Sequence, residues 1–273
     1  MGGRGASFLR NISQSTENLN TVDFELYEDD KPISEDLMPV EIKQLKDNNV
    51  IVYESMLTLP QKILDEQIIA LNDRVKKSDK LFTFVDENNP VEIRLAKFGN
   101  KRTKACYSMD ADFTNLKILF NDSLKKETPS MIDKMVKDAQ KVNWWVKCDD
   151  NKTLRLVATH EYGHFIQYNL IKKAIDRRHK KEYAELLNNY RNNSSNENYQ
   201  AIRKLFDKIA FRINNKIALL SKEKYGTMNL DDVGDYGKKN QAEWFAEVYA
   251  NMSLSSEPTN MAKAMKIYLK DGK

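Results

Sequence analysis

The chain of 273 residues contains only two cysteines and three histidines, and it has no long run of apolar residues. Cys106 and Cys148 lie far apart without a CxxC spacing, which predicts neither a disulfide framework nor a cysteine-ligated zinc site. A membrane-spanning helix needs about 20 consecutive apolar residues. The N-terminus lacks the basic and apolar blocks of a signal peptide. We therefore expect a cytoplasmic protein that has no membrane partner.

The charges are unevenly distributed along the chain, although the formal net charge is only +4. Residues 11–37 contain eight acidic residues against one basic residue, Lys31. This composition predicts a flexible acidic N-terminal segment over 1–49 and a folded domain over 50–273. The basic excess is largest in IKKAIDRRHKK, 171–181, where no aromatic residues are interleaved with the charges. We therefore predict a solvated helix face there, and expect no nucleic-acid partner.

The hydrophobic pattern predicts an α+β fold in which a small mixed β-sheet is followed by a largely helical C-terminal half. Residues 59–77 repeat apolar residues at helical spacing. Short segments rich in β-branched and aromatic residues predict strands at 81–85, 91–98, 104–109 and 116–121. Later helices are predicted at 129–141, 153–178, 180–224 with a break at NNSSNEN, 240–253 and 258–270.

Two of the three histidines, His160 and His164, lie four residues apart in THEYGHFIQYN, 159–169. Residues i and i+4 of a helix lie one above the other, so both rings can direct a nitrogen at one point. Glu161 borders that point, and in H-E-x-x-H two neutral imidazoles bind zinc while the carboxylate is the general base. The alternative is a chance match to H-E-x-x-H, which a chain of this composition is expected to contain about 0.002 times. The pattern therefore predicts a catalytic zinc site that needs a third ligand.

Gly163 lies inside the same predicted helix. A mid-helix glycine costs about 1 kcal/mol relative to alanine. It is usually kept where another backbone must come close. We expect a strand to cross tightly under the metal at this position.

A later helix offers two carboxylates for the third position. Within YGKKNQAEWFAEVYANM, 236–252, Glu243 and Glu247 are four residues apart and hence lie on one face. Inward carboxylates would face a large desolvation cost unless a dication and an imidazole N–H compensated them. One carboxylate can therefore bind the metal while the other supports a ligand. The alternative is a solvent-facing pair.

These two blocks resemble the gluzincin-type zinc metallopeptidases, which include the catalytic domain of anthrax lethal factor and related minimal peptidase domains of phage and toxin proteins. HEYGH, 160–164, is similar to their HEFGH-type helix. YGKKNQAEWFAE, 236–247, is similar to their later segment Y-G-x-x-N-E-A-E-F-F-A-E almost position for position. The resemblance implies a zincin-like fold, with the small sheet packed on the active-site helix.

The resemblance also implies a zinc-dependent endopeptidase, which hydrolyses peptide bonds with a metal-bound water activated by a glutamate. One Zn²⁺ ion is expected on His160, His164 and Glu243. Glu161 is then the general base. Tyr236 is the hydroxyl that stabilises the oxyanion.

The second carboxylate, Glu247, is expected to accept the free ring N–H of His160 or His164, because such partners fix the tautomer of a ligand. The chain departs from the family pattern at Gln241, where a glutamate is usual. It is also longer between the two blocks than the toxin domain. The additional length between the two blocks predicts a helical insertion over about 180–224 that shapes the substrate cleft.

The expected substrate is a protein or peptide from the host, from a phage or from the chain itself. Peptide substrates of this fold class add as a strand to an exposed sheet edge. The predicted edge is the strand Lys117–Asn121, whose end is expected beside the metal. Its residues are Lys117, Ile118, Leu119, Phe120 and Asn121.

A second function from another class is a non-catalytic phage or mobile-element binding protein that keeps the zincin fold. Retention of the base, the ligands and Tyr236 argues against it. The opening MGGRGASF resembles the start of proteins from bacterial prophage modules, which suggests a phage or prophage origin.

Overall fold

In the computed structural model of this chain, the described residues are 31–32, 39–40, 50–78, 89–98 and 103–271. The strands within these residues are β1 (Lys31–Pro32), β2 (Pro39–Val40), β3 (Val50–Tyr53), β4 (Val91–Lys97), β5 (Ala105–Ser108) and β6 (Lys117–Asn121). The α-helices within them are α1 (Gln61–Ser78), α2 (Pro129–Lys141), α3 (Leu156–Ala174), α4 (Lys180–Asn192), α5 (Asn196–Tyr225), α6 (Gly234–Gly237), α7 (Gln241–Leu254) and α8 (Asn260–Lys270).

The strands form one mixed sheet in the order β2-β3-β4-β6-β5, with β1 paired to β4. The central strands β3, β4 and β6 are parallel to one another. The outer strands β2 and β5 run antiparallel to their neighbours. The predicted α+β class, with a small mixed sheet and a largely helical C-terminal half, is therefore confirmed.

The prediction that Lys117–Asn121 is an exposed sheet edge is wrong. This segment is β6, which pairs with β4 on one side and β5 on the other. Its residues Ile118, Leu119, Phe120 and Asn121 are buried. Chain order could not reveal this, because β5 folds back antiparallel onto the outer side of β6. Within the described residues, β5 ends the strand order on this side.

Side-chain caps mark the starts of four of the described helices, α2, α5, α7 and α8. The Thr128 hydroxyl caps α2, whose first residue is Pro129. Ser195 caps α5, and Gly226 ends that helix in a left-handed conformation at φ +74°. The predicted helices are therefore confirmed, with the break at NNSSNEN lying between α4 and α5. A π-helical turn over residues 175–179 directly follows α3.

Two of the sequence-based predictions fall largely outside the described residues. The predicted strand 81–85 lies outside them, as does most of the acidic segment 1–49. From that segment, Lys31–Pro32 and Pro39–Val40 pair with the sheet. Among the described residues, no helix combines the length and the apolar character needed to cross a membrane.

Helix α3 lies at the centre of the fold, where it packs between the sheet and α7. Phe165 of α3 and Phe245 of α7 are completely buried in one continuous hydrophobic core. A Cβ atom on Gly163 would lie 3.0 Å from the Cα atom of Ala246. The neighbour of this glycine is therefore α7, and the prediction of a crossing strand is wrong. The missing side chain lets the two helices that carry the candidate ligands approach each other closely.

Candidate metal centre

His160, His164 and Glu243 converge where α7 crosses α3. One potential ligand atom from each residue lies within 4.8 Å of the other two. Nε2 of His160 is 2.9 Å from Oε2 of Glu243, and Nε2 of His164 is 3.8 Å from the same oxygen. Both histidines are buried, whereas the Glu243 side chain is 17% exposed. The arrangement thus joins three donors at a point that solvent can reach from one side.

The surroundings of the two histidines drive their charge states in opposite directions. Burial lowers the pKa of His164 to about 3, so this ring is neutral and can offer a lone pair. Burial also lowers the pKa of His160, but its hydrogen bonds to Glu243 and Glu247 outweigh burial and raise it well above its usual range. The two carboxylates thus attract positive charge to His160. A dication would supply that charge.

Packing holds the His164 ring. Its Nδ1 atom is buried, and within the described residues it has no hydrogen-bond partner. The ring instead stacks on Tyr107 of β5, with 4.1 Å between ring centroids and 30° between planes. The sheet therefore orients one candidate ligand through an aromatic contact.

Glu247 holds the His160 ring by a hydrogen bond. Oε1 of Glu247 lies 2.9 Å from Nδ1 of His160, so the carboxylate fixes which ring nitrogen carries the proton. Oε2 of Glu247 accepts a hydrogen bond of 2.8 Å from the backbone N–H of Val146. The sequence allowed either histidine as the partner of Glu247, and the structure brings it to His160. Glu247 thereby also ties α7 to the loop before α3.

Glu161 is buried beside the converging ligand atoms, and its environment differs from that of an ordinary surface glutamate. Burial raises its pKa to about 7, against the opposing influence of the His160 charge. The backbone N–H of Tyr107 donates a hydrogen bond to this carboxylate. Both protonation states of Glu161 are therefore accessible near neutral pH, as a general acid and base requires.

Tyr236 lies beside His160 at the candidate metal centre. Its ring centroid is 5.7 Å from that of His160, and its backbone N–H donates to the Trp144 carbonyl at 2.9 Å. The ammonium group of Lys239 lies 4.4 Å from the Tyr236 ring centroid, a cation–π contact. Gly234 has φ +73°, and a Cβ atom there would lie 3.1 Å from the Trp144 carbonyl oxygen. This glycine therefore lets α6 dock on the loop and set the position of Tyr236.

The start of α7 is anchored by polar residues on three helices. The Asn240 side chain caps the helix, accepting a hydrogen bond of 2.9 Å from the backbone N–H of Glu243. The carbonyl oxygen of Gln241 accepts hydrogen bonds from Asn214 of α5 at 2.8 Å and from Gln167 of α3 at 3.0 Å. The Gln241 side chain also accepts a hydrogen bond of 2.8 Å from Asn214. The residue that departs from the gluzincin pattern thus joins α7 to both α3 and the predicted insertion.

We predict that Glu247→Gln lowers zinc affinity by about 10–100-fold without abolishing binding, the usual cost of losing a group that supports a metal ligand. The reason is that glutamine replaces the charged carboxylate beside His160 with a neutral amide, which still has one oxygen to accept the His160 N–H. Competition with a chromophoric chelator would measure the change. If Glu247→Gln removed zinc entirely while Glu243→Gln retained it, the roles of the two carboxylates would be reversed.

The donor set suits zinc. Two imidazoles and one carboxylate, with a fourth position left to solvent or substrate, are typical of catalytic zinc sites. His164 is neutral and Glu243 is ionised, because contacts with the histidines lower the Glu243 pKa against the effect of its burial. These two groups are in the states that a metal requires of its ligands, whereas His160 would have to release the proton that its two carboxylate partners favour. The identity of the ion stays a prediction.

Several site residues were not identified from the sequence. Asn240 carried a usable signal, since an asparagine just before an amphipathic segment favours a helix cap. Tyr107 and Val146 contribute a ring contact and backbone N–H groups, for which no sequence signal exists. The third histidine, His179, lies in the π-helical turn, where its Nδ1 is 2.8 Å from Glu182.

The comparisons with known proteins give no match to this chain among family models, curated protein sequences or solved structures. The likeness to the gluzincins therefore depends on the two sequence blocks around His160 and Glu243. The phage or prophage origin stays a prediction.

Proposed function

We propose that this chain is a zinc-dependent endopeptidase with a zincin-type active site, and that its substrates are proteins or peptides. The observation that carries the proposal is the convergence of His160, His164 and Glu243 beside a buried fourth side chain, Glu161. A structural metal site needs ligands only. The additional carboxylate, buried beside the ligand atoms, is the group that hydrolysis of a peptide bond would use.

In this proposal Nε2 of His160, Nε2 of His164 and a carboxylate oxygen of Glu243 hold the zinc ion. Bound there, zinc supplies Lewis acidity that polarises a carbonyl and makes water more acidic. Glu161 takes the proton from the attacking water and returns it to the nitrogen of the leaving amine. The Tyr107 N–H keeps the Glu161 carboxylate oriented between these two transfers.

Tyr236 is proposed to stabilise the negative charge that develops on the carbonyl oxygen of the substrate. The support is its position on the His160 side of the site and its attachment to the Trp144 carbonyl. The nearby ammonium of Lys239 favours negative charge in the same region. The substrate backbone is proposed to lie along the outer side of β5, because Tyr107 of that strand contacts both His164 and Glu161.

The alternative is a binding protein that keeps the zincin fold and holds zinc without catalysis. This alternative gives no role to the Glu161 carboxylate, which is buried and is not a ligand. Burying such a group costs free energy, so a group without a role would be unfavourable there. The peptidase proposal uses Glu161 and is therefore the better supported of the two.

Digestion of a degenerate peptide library tests the proposal. The zinc-loaded protein should cleave internal peptide bonds, treatment with a chelator should stop cleavage, and added zinc should restore it. Mass spectrometry of the products measures all three steps. A protein that binds one zinc ion but leaves every library peptide intact would support the binding-protein alternative instead.

A further inference from the structure

A cavity of about 380 Å³ lies next to the candidate metal centre, between the end of β5 and the helices α3, α4 and α5. Its volume falls within the range of small-ligand sites. Tyr107 belongs to both places, because it lines the cavity and stacks on His164. Tyr168, one helical turn after His164, lines the same cavity. A peptide that reaches the metal centre along β5 would therefore pass the mouth of this cavity.

The rim of the cavity carries one ion pair and one further carboxylate. Nη2 of Arg191 lies 3.0 Å from Oδ2 of Asp112, and both groups reach solvent. Asp110 is exposed, and its carboxylate accepts a hydrogen bond from the Asn115 amide. Because these rim charges reach solvent, they are screened more strongly than a charge inside the cavity.

The remaining charged residue of the lining is Arg203, which is surrounded by tyrosines. Its Nη1 atom donates to the Tyr168 hydroxyl at 3.0 Å, and it also bonds Tyr199. Both of these partners are tyrosine hydroxyls. Asp207, one turn along α5, attracts Arg203 through space and does not line the cavity. The interior of the cavity thus combines aromatic walls with one guanidinium charge.

We propose that this cavity receives an acidic side chain of the peptide substrate and that Arg203 is the residue that selects it; this assignment rests on the proposed peptidase function. A guanidinium matches a carboxylate with paired hydrogen bonds, which are among the strongest polar contacts in proteins. The aromatic rings of Tyr107, Tyr168 and Tyr199 would contact the methylene groups of glutamate. The helices α4 and α5, predicted as an insertion, would then set specificity.

The test uses the full-length zinc-loaded protein and blocked peptides, acetylated and amidated at their ends. Members of each pair differ only by glutamate or glutamine near the cleaved bond. The wild type is expected to cleave the glutamate peptides with kcat/KM about ten- to a hundredfold higher at one subsite, as expected for a charge-assisted contact. Arg203→Met should remove this preference, so that the glutamate and glutamine peptides of a pair are cleaved with equal kcat/KM.

Arg191→Met is the matched control, because it removes the same charge from the rim of the same cavity, where Asp112 already pairs with it. It should keep the preference for glutamate. If the wild-type protein cleaved the glutamate and glutamine peptides equally well, the assignment would be overturned without any variant. A misfolded Arg203→Met protein would therefore not obscure the result. A preference that appears only with unblocked C-termini would also overturn it, since the cavity would then bind a terminal carboxylate. Failure to cleave any peptide would contradict the peptidase function itself.

Discussion

His164→Ala is expected to abolish stoichiometric zinc binding. The substitution leaves two protein donors, His160 and Glu243, and a site with two donors loses most of its chelation and geometry. The loss should exceed the 10–100-fold decrease that removal of a supporting group typically causes. Elemental analysis after dialysis measures the bound metal. Retention of one zinc ion per chain would show that the ligand assignment is wrong.

This test needs controls for folding, because His164 is buried and stacks on Tyr107. His164→Phe keeps an aromatic ring against Tyr107 but offers no ligand nitrogen, so it should also lose zinc. His179→Ala removes the third histidine, which pairs with Glu182 outside the candidate centre, and should leave zinc binding unchanged. Thermal unfolding monitored by circular dichroism would show whether each variant is folded.

Glu161→Gln is expected to lower kcat for peptide cleavage by about 10²–10⁴-fold, the usual contribution of a general base, while zinc stays bound. Glutamine has nearly the shape of glutamate, so it preserves the packing but cannot accept the proton. Library digestion at equal zinc occupancy measures the effect.

The matched control is Glu257→Gln, which makes the same change at an exposed residue after α7 and should cleave at the wild-type rate. If Glu161→Gln cleaved as fast as the wild type, this site would not be responsible for the activity. The experiment thereby also detects a contaminating peptidase, whose activity no substitution in this chain would change.

The sequence by itself determined the features that depend on neighbours along the chain. Helical periodicity brought His160 and His164 to one face of α3, and the polar break at NNSSNEN separated α4 from α5. Local geometry suffices here, because the direction of a side chain within one helix or strand follows from its backbone repeat.

Only the tertiary structure decided how these elements lie relative to one another. It made β5 rather than Lys117–Asn121 the outer strand, directed Glu247 to His160 and enclosed Arg203 in a cavity beside Tyr107. These placements depend on contacts between residues distant in sequence, such as Gly163 against Ala246. Periodicity within one element does not encode which surface of another element it will meet, because that choice is made by the packing of the whole core.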